Sequence, residues 1–158
     1  MRGAINIFCI FMETPDVPWA RSDEQAYEPF LIEPTGGIRH VVRLLRGKDI
    51  TTGRILEINC GNGANSVFLA RNGFEVHAIE SKANEDLAKY LGSHGVLVHI
   101  QNPRDYLMFD DETFDIVIDL SNILTNADEN EMMRILRKGG YLFLRSTAEN
   151  KIEERRKI

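Results

Sequence analysis

The sequence is poor in cysteine, in long apolar runs and in positive charge. Its two cysteines, Cys9 and Cys60, have neither a metal-ligand spacing nor the makings of a disulfide framework. A reducing, cytoplasmic setting is the expectation for such a chain. The formal net charge is −5. A nucleic-acid partner is therefore not expected, because its footprint is a basic patch or a high pI. The apolar run AINIFCIFM at 4–12 is far short of the roughly 20 residues of a membrane span. One basic residue precedes it and no clear small-x-small site follows, so a signal peptide is disfavoured. Both of its alternating sets are largely apolar, as in a strand or packed arm covered on both faces. Proline is scarce but concentrated. Positions 15, 18, 29 and 34 exclude long helices from 13–34. What remains is a chain of 158 residues, 43% of them apolar, enough for one domain with a real core.

The informative stretch is 54–80, RILEINCGNGANSVFLARNGFEVHAIE. Residues 54–59 form an apolar run of strand length. Residues 60–63 form a tight turn with two glycines, Gly61 and Gly63. Residues 64–72 have helical spacing, and Gly73 stands where a left-handed residue would close that helix. Residues 75–79 read as a second strand, with Glu80 at its tip. Lacking Cβ atoms, Gly61 and Gly63 let the backbone turn sharply and approach a ligand. The helix behind them presents unpaired N–H groups. A carboxylate at the second strand's tip, about 20 residues beyond the glycines, can accept two hydroxyl hydrogen bonds from a ribose. The unit therefore predicts an adenosine-containing cofactor on a parallel α/β sheet.

Two cofactor types share that outline. A dinucleotide site places a third glycine where this chain has Ser66. Glu57, at the end of the first strand, would repel a pyrophosphate and suits a cationic ligand. The segment 56–80 resembles motif I and its acidic follower in class I S-adenosylmethionine-dependent methyltransferases. CGNGANSVFLARNGFEV is most similar to the tellurite-resistance (TehB-like) branch. FDIVIDL at 114–120 and LRKGGYLFLR at 136–145 extend the likeness, which covers about 36–147.

The resemblance implies S-adenosylmethionine as cofactor and assigns roles. Glu57, Asn59, Gly61 and Gly63 hold the amino-acid end, with Cys60 and Asn62 in the same turn. Asn65 and Ser66 start the helix. Glu80 takes the ribose hydroxyls, with Ser81 beside it. Asn102 takes the adenine where the family usually has an acid, and Pro103 follows it without an N–H to donate. Either adenine recognition is weaker or it shifts, for instance to Arg104. Asn59 stands where a glycine is usual. Asp119, at the tip of the fourth strand with Ser121 and Asn122, is the weak catalytic candidate; an acceptor that orders the loop is the favoured role. Cys60 is read as structural. Arg21, Tyr27 and Arg39 are pocket candidates by location, whereas His40 lies on a polar helix face.

The remaining elements follow from pattern. Residues 36–46 read as an amphipathic helix with Ile38, Val41, Val42 and Leu45 inward. Further helices are expected at 81–94 and 128–137, and strands at 96–100, 114–120 and 141–145. Lys138, Gly139 and Gly140 would form the turn into strand five. The charged segment 149–158 reads as a frayed helix. The expected organisation is an N-terminal arm at 1–35, a methyltransferase-like domain at 36–147 and a charged tail at 148–158. The fold is a Rossmann-like doubly wound, mostly parallel sheet lacking the family's usual last two strands. Strand five would then be an open apolar edge, which invites pairing with the run 4–12 or with a second copy as a homodimer. The leading function is methyl transfer to a small molecule. A non-catalytic cofactor-binding partner subunit is the alternative, and a dinucleotide-dependent oxidoreductase is disfavoured by Ser66 and Glu57.

Overall fold

The computed structural model describes residues 33–121, 128–146 and 151–158. The run 4–12, Arg21, Tyr27 and Asn122 lie outside them. The described chain forms α1 (Gly36–Gly47), β1 (Arg54–Ile58), α2 (Ala64–Arg71), β2 (Glu75–Glu80), α3 (Glu85–Ser93), β3 (Val96–Ile100), β4 (Phe114–Asp119), α4 (Glu129–Ile135), β5 (Leu136–Arg145) and β6 (Ile152–Arg156).

The strands make one six-stranded sheet in the order β3-β2-β1-β4-β5-β6. All neighbours are parallel except β5 and β6. Strand order reverses between β1 and β4, so these two flank the topological switch point, where open α/β sheets bind ligands. β1 is buried on both faces, as a central parallel strand should be. Glu57 lies beside Ala78 of β2 and Ile118 of β4. The sequence thus places a carboxylate in the middle of the sheet, one residue short of the strand's end.

The helices follow their caps. Thr35 Oγ1 accepts from the N–H of Ile38 at 3.3 Å, starting α1 with Ile38, Val41, Val42 and Leu45 buried. The helix expected from residue 81 begins later, at Glu85. Asn84 Oδ1 accepts from the N–H of Leu87 at 3.0 Å and fixes the start there. Asp128 caps α4 through the N–H of Asn130 at 2.7 Å. That helix stops two residues before its expected end, because Leu136 already pairs with Phe114 of β4.

Two expectations at the C-terminal end are corrected. Lys138, Gly139 and Gly140 do not form a turn before β5; they are a bulge inside it. Leu136 pairs with Phe114 and Tyr141 with Ile116, so β5 has extra residues between these pairs. A Cβ on Gly140 would stand 2.6 Å from the carbonyl oxygen of Asp115, so only glycine lets the bulge lie against β4. The segment expected as a frayed helix is β6. It runs antiparallel along β5, from Tyr141↔Arg156 to Arg145↔Ile152. One closing strand is therefore present, and β5 is not an edge. The pairing that an open β5 would have invited is supplied by the chain itself.

Candidate functional site

The carboxyl ends of β1, β2 and β4 bring three turns together. After β1, Asn59 takes a left-handed conformation at φ 57°, a region that asparagine tolerates better than most residues. Gly61 and Gly63 follow at φ 57° and 80°. The N–H of Gly63 donates to the carbonyl of Cys60 at 2.9 Å, closing the turn. Asn62 Oδ1 accepts from the N–H of Ala64 at 3.0 Å, satisfying one of the free donors at the start of α2. The two glycines differ in surroundings. A Cβ on Gly63 would stand 2.3 Å from Leu91 Cδ2 of α3, whereas among the described residues nothing lies within 4 Å of one on Gly61. Gly63 is therefore glycine for packing, and Gly61 keeps open space above the turn.

Glu80 closes one side. Its Oε2 accepts from the N–H of Gly61 at 3.0 Å, and its Oε1 from the N–H of Ser81 at 2.9 Å and the Ser81 hydroxyl at 3.2 Å. Three of the residues expected to act together are thus in direct contact. Next door, the N–H of Gln101 donates to the carbonyl of Glu80 at 3.1 Å, which anchors the segment after β3 to the tip of β2. Pro103 is buried there and Asn102 is exposed. Asn102 Oδ1 accepts from the N–H of Arg104 at 3.1 Å. The N–H of Arg104, to which adenine recognition could shift, is engaged within this turn.

Glu57 lies beneath the turn, only 4% exposed. The Ser66 hydroxyl donates to its Oε2, and the Asn65 side chain also hydrogen-bonds it. Burial dominates even so and raises its pKa to about 7, with a smaller contribution from the charge of Asp119. Burial pushes the Cys60 thiol up to about 12, helped by the charges of Glu57 and Glu80. This suits the structural role expected for it, because a reactive cysteine needs a depressed pKa.

Asp119 is fully buried at the end of β4. It accepts from the N–H of Ser121 at 3.2 Å and from the Ser121 hydroxyl. Asn59 Nδ2 donates to Ser121 Oγ at 3.0 Å. The side chain that replaces a usual glycine thus ties the tip of β1 to the chain leaving β4. Arg39, a pocket candidate by location, is exposed on α1. It pairs with Glu33 at 2.9 Å and lies over the Phe68 ring at 5.6 Å. His40 is exposed, as its helix face suggests.

Two contributors escaped the sequence reading. The N–H of Thr35 donates to Asn65 Oδ1 at 2.9 Å, linking the segment before α1 to the start of α2. A helix-capping threonine before Gly36 was the available signal. Leu91 fills the space that Gly63 leaves, a contact with no local sequence signature. A separate concavity of about 390 Å³ lies at the opposite ends of the strands, bordered by Gly53, Arg54, Glu75 and Asp115. Its polar groups are mutually paired, Arg54 to Glu75 at 2.9 Å and the Arg54 N–H to Asp115 at 2.7 Å.

Residues 56–144 match the profile of the methyltransferase domain family. The chain belongs to that family. Solved structures share its fold. An S-adenosylmethionine-dependent methyltransferase of Thermotoga maritima, described as a possible histamine N-methyltransferase, is 28% identical with a TM-score of 0.51. The match covers 68% of this chain and 49% of that one. A Pyrococcus horikoshii protein is 23% identical with a TM-score of 0.51, over 78% of this chain and 66% of its own. An S-adenosylmethionine-dependent methyltransferase of Aquifex aeolicus is 17% identical with a TM-score of 0.52, over 65% of this chain and 61% of its own. The chain spans about half the length of several solved relatives it matches. No curated protein sequence matches it.

Family and fold make this a class I methyltransferase domain with S-adenosylmethionine as its cofactor. The residues present fit that molecule. The Glu80 carboxylate accepts three hydrogen bonds, which leaves a lone pair on Oε2 for one ribose hydroxyl and a second on Oε1 once the Ser81 hydroxyl turns away; the space over Gly61 admits a ligand against the backbone, and the buried acid at Glu57 suits a cation. Among the described residues no helix is long and apolar enough to cross a membrane.

Proposed function

We propose that this chain transfers the methyl group of S-adenosylmethionine to a small-molecule acceptor. The observation that carries the reading is the contact between Glu80 and Gly61 under open space at the switch-point end of the sheet. In this reading Glu80 takes the ribose hydroxyls, with Ser81 beside it. The turn of Asn59, Cys60, Gly61, Asn62 and Gly63 holds the amino-acid end above Glu57, and Asn65 and Ser66 fix that carboxylate. Asn102 and Pro103 flank the adenine, with Asn102 contributing its amide.

When bound, the cofactor supplies an electrophilic methyl on a sulfonium. The protein's part is then to align the acceptor and keep water out, which needs no catalytic dyad. Asp119 serves by ordering the chain that leaves β4, through Ser121 and Asn59. A small acceptor is supported by the likeness of the 60–76 segment to the tellurite-resistance branch, which favours a metalloid oxyanion or a thiol. The Thermotoga maritima relative's description, with a small amine in it, supports the same size class.

The test is formation of S-adenosylhomocysteine on incubation with S-adenosylmethionine and a panel of tellurite, selenite, small thiols and small amines. Acceptor-dependent product that disappears in Glu80→Ala is the expected result. Cofactor binding without turnover on any acceptor would contradict the enzymatic reading and favour a cofactor-binding partner subunit.

A further inference from the structure

Glu57 is an acid in an unusual place. It is 4% exposed, flanked in the sheet by Ala78 and Ile118, and contacted from α2 by two neutral side chains, Ser66 and Asn65. The other titratable groups facing it are Asp119 from β4, which is fully buried, and the Cys60 thiol of the turn. Glu80 lies beyond Cys60 on β2. Among the described residues every ionisable group around Glu57 is thus acidic, and it forms no salt bridge with any of them. A carboxylate buried among acids and neutral donors keeps its proton to a higher pH than an exposed one, and a nearby cation favours its release.

We propose that Glu57 couples cofactor binding to proton release: in mildly acid solution it is protonated in the free protein and ionises when the cationic amino-acid end of the cofactor settles against the turn above it. The inference rests on the cofactor placement proposed above and adds a regulatory property to that site. The proton passes to solvent, and no bond to carbon or sulfur changes. The sign follows from linkage. A cation stabilises the ionised carboxylate, so the pKa of Glu57 is lower in the complex than in the free protein. Affinity is complete above the free-protein pKa of about 7. It weakens by up to about tenfold per pH unit below that, until the pKa of the complex is passed. Mild acidification would therefore empty the site without any change in cofactor concentration.

The experiment is isothermal calorimetry of S-adenosylmethionine binding to the intact protein and to Glu57→Gln. It is run at about pH 6 and about pH 8 in two buffers of different ionisation heat, which yields the proton count. Ligand ionisation is common to both proteins and cancels in their difference. At about pH 6 the native protein is expected to release on the order of one proton more than the variant, and at about pH 8 the difference should vanish. Its affinity should also rise several-fold more than the variant's between the two. Equal proton counts with intact binding would overturn the proposal and leave the cofactor reading standing. No binding to the native protein at either pH would overturn both. Should Glu57→Gln fail to fold, carbon-13 NMR of glutamate-labelled native protein decides the matter. One carboxyl titrating near neutrality and moving to lower pH on cofactor addition supports the proposal. Its absence overturns it.

Discussion

Gly61 and Gly63 sit two residues apart with similar left-handed backbones, yet their neighbourhoods assign them different tasks. A side chain on Gly63 meets Leu91 at once, while one on Gly61 meets nothing among the described residues. Left-handed strain for a non-glycine residue is about 1–2 kcal/mol and applies to both. Gly63→Ala adds the displacement of a buried leucine, and its total loss of stability is expected at about 2–4 kcal/mol. Gly61→Ala should lose only the strain, about 1–2 kcal/mol, but its methyl enters the space assigned to the cofactor. Denaturant unfolding and cofactor titration of both variants check this. The expected pattern is a folded Gly61→Ala protein that binds at least tenfold more weakly. Equal destabilisation of the two, with cofactor affinity kept, would contradict it. This pair also shows how far the site was legible. The glycines, Glu57 and Glu80 could be placed because they belong to one β-α-β unit, whose order in the chain is its order in space. Thr35 and Leu91 come from other elements and reach Asn65 and the space beside Gly63 only once the chain is folded. Asn102 was placed at the tip of β3 correctly. That its oxygen would already be accepting from Arg104 depends on loop geometry that composition does not carry.

At the scale of elements, hydrophobic period identified β1, β2, β4 and α1, because each must bury a continuous apolar face; β3 reads as an apolar run although Leu97 and Ile100 are exposed. β6 has no such face. Its IEERR is half-exposed or exposed, so pattern alone gave a charged tail. The strand exists because β5 offers it a row of backbone partners. Further contacts come from Lys48 to Glu154 at 3.0 Å and Lys157 Nζ to the carbonyl of Leu136 at 2.6 Å. The charges that hid the strand in the sequence protect the sheet, since a charged outer strand resists pairing with another chain. Ending the chain after Ser146 would uncover β5, whose Leu142, Phe143 and Leu144 are buried. The shortened protein is expected to self-associate in light scattering and to melt at a lower temperature than the full chain. A monodisperse truncated protein with an unchanged melting temperature would show that β6 contributes nothing to the sheet's protection.

For the molecule as a whole, the decisive feature is where strand order reverses. At the carboxyl ends of β1 and β4 the turn after β1 meets Ser121 beyond β4 and Glu80 at the tip of β2. Sheet topology was readable because a run of parallel strands and crossover helices admits few arrangements. The antiparallel closing strand was not, for the reason given by its charges. α1, α2 and α3 each bury apolar residues, and the parallel pairing of β1 with β2, from Arg54↔Glu75 to Ile58↔Ile79, sets the register of Glu57 against the strand that ends in Glu80. A site built on two such strands needs little adjustment on binding. The most direct measurement is calorimetric titration of the purified protein with S-adenosylmethionine, S-adenosylhomocysteine and NADH at slightly alkaline pH. The account predicts micromolar binding of the first two, on the order of −8 kcal/mol, and none of NADH. Binding of NADH, or no binding of either sulfur compound, would contradict it.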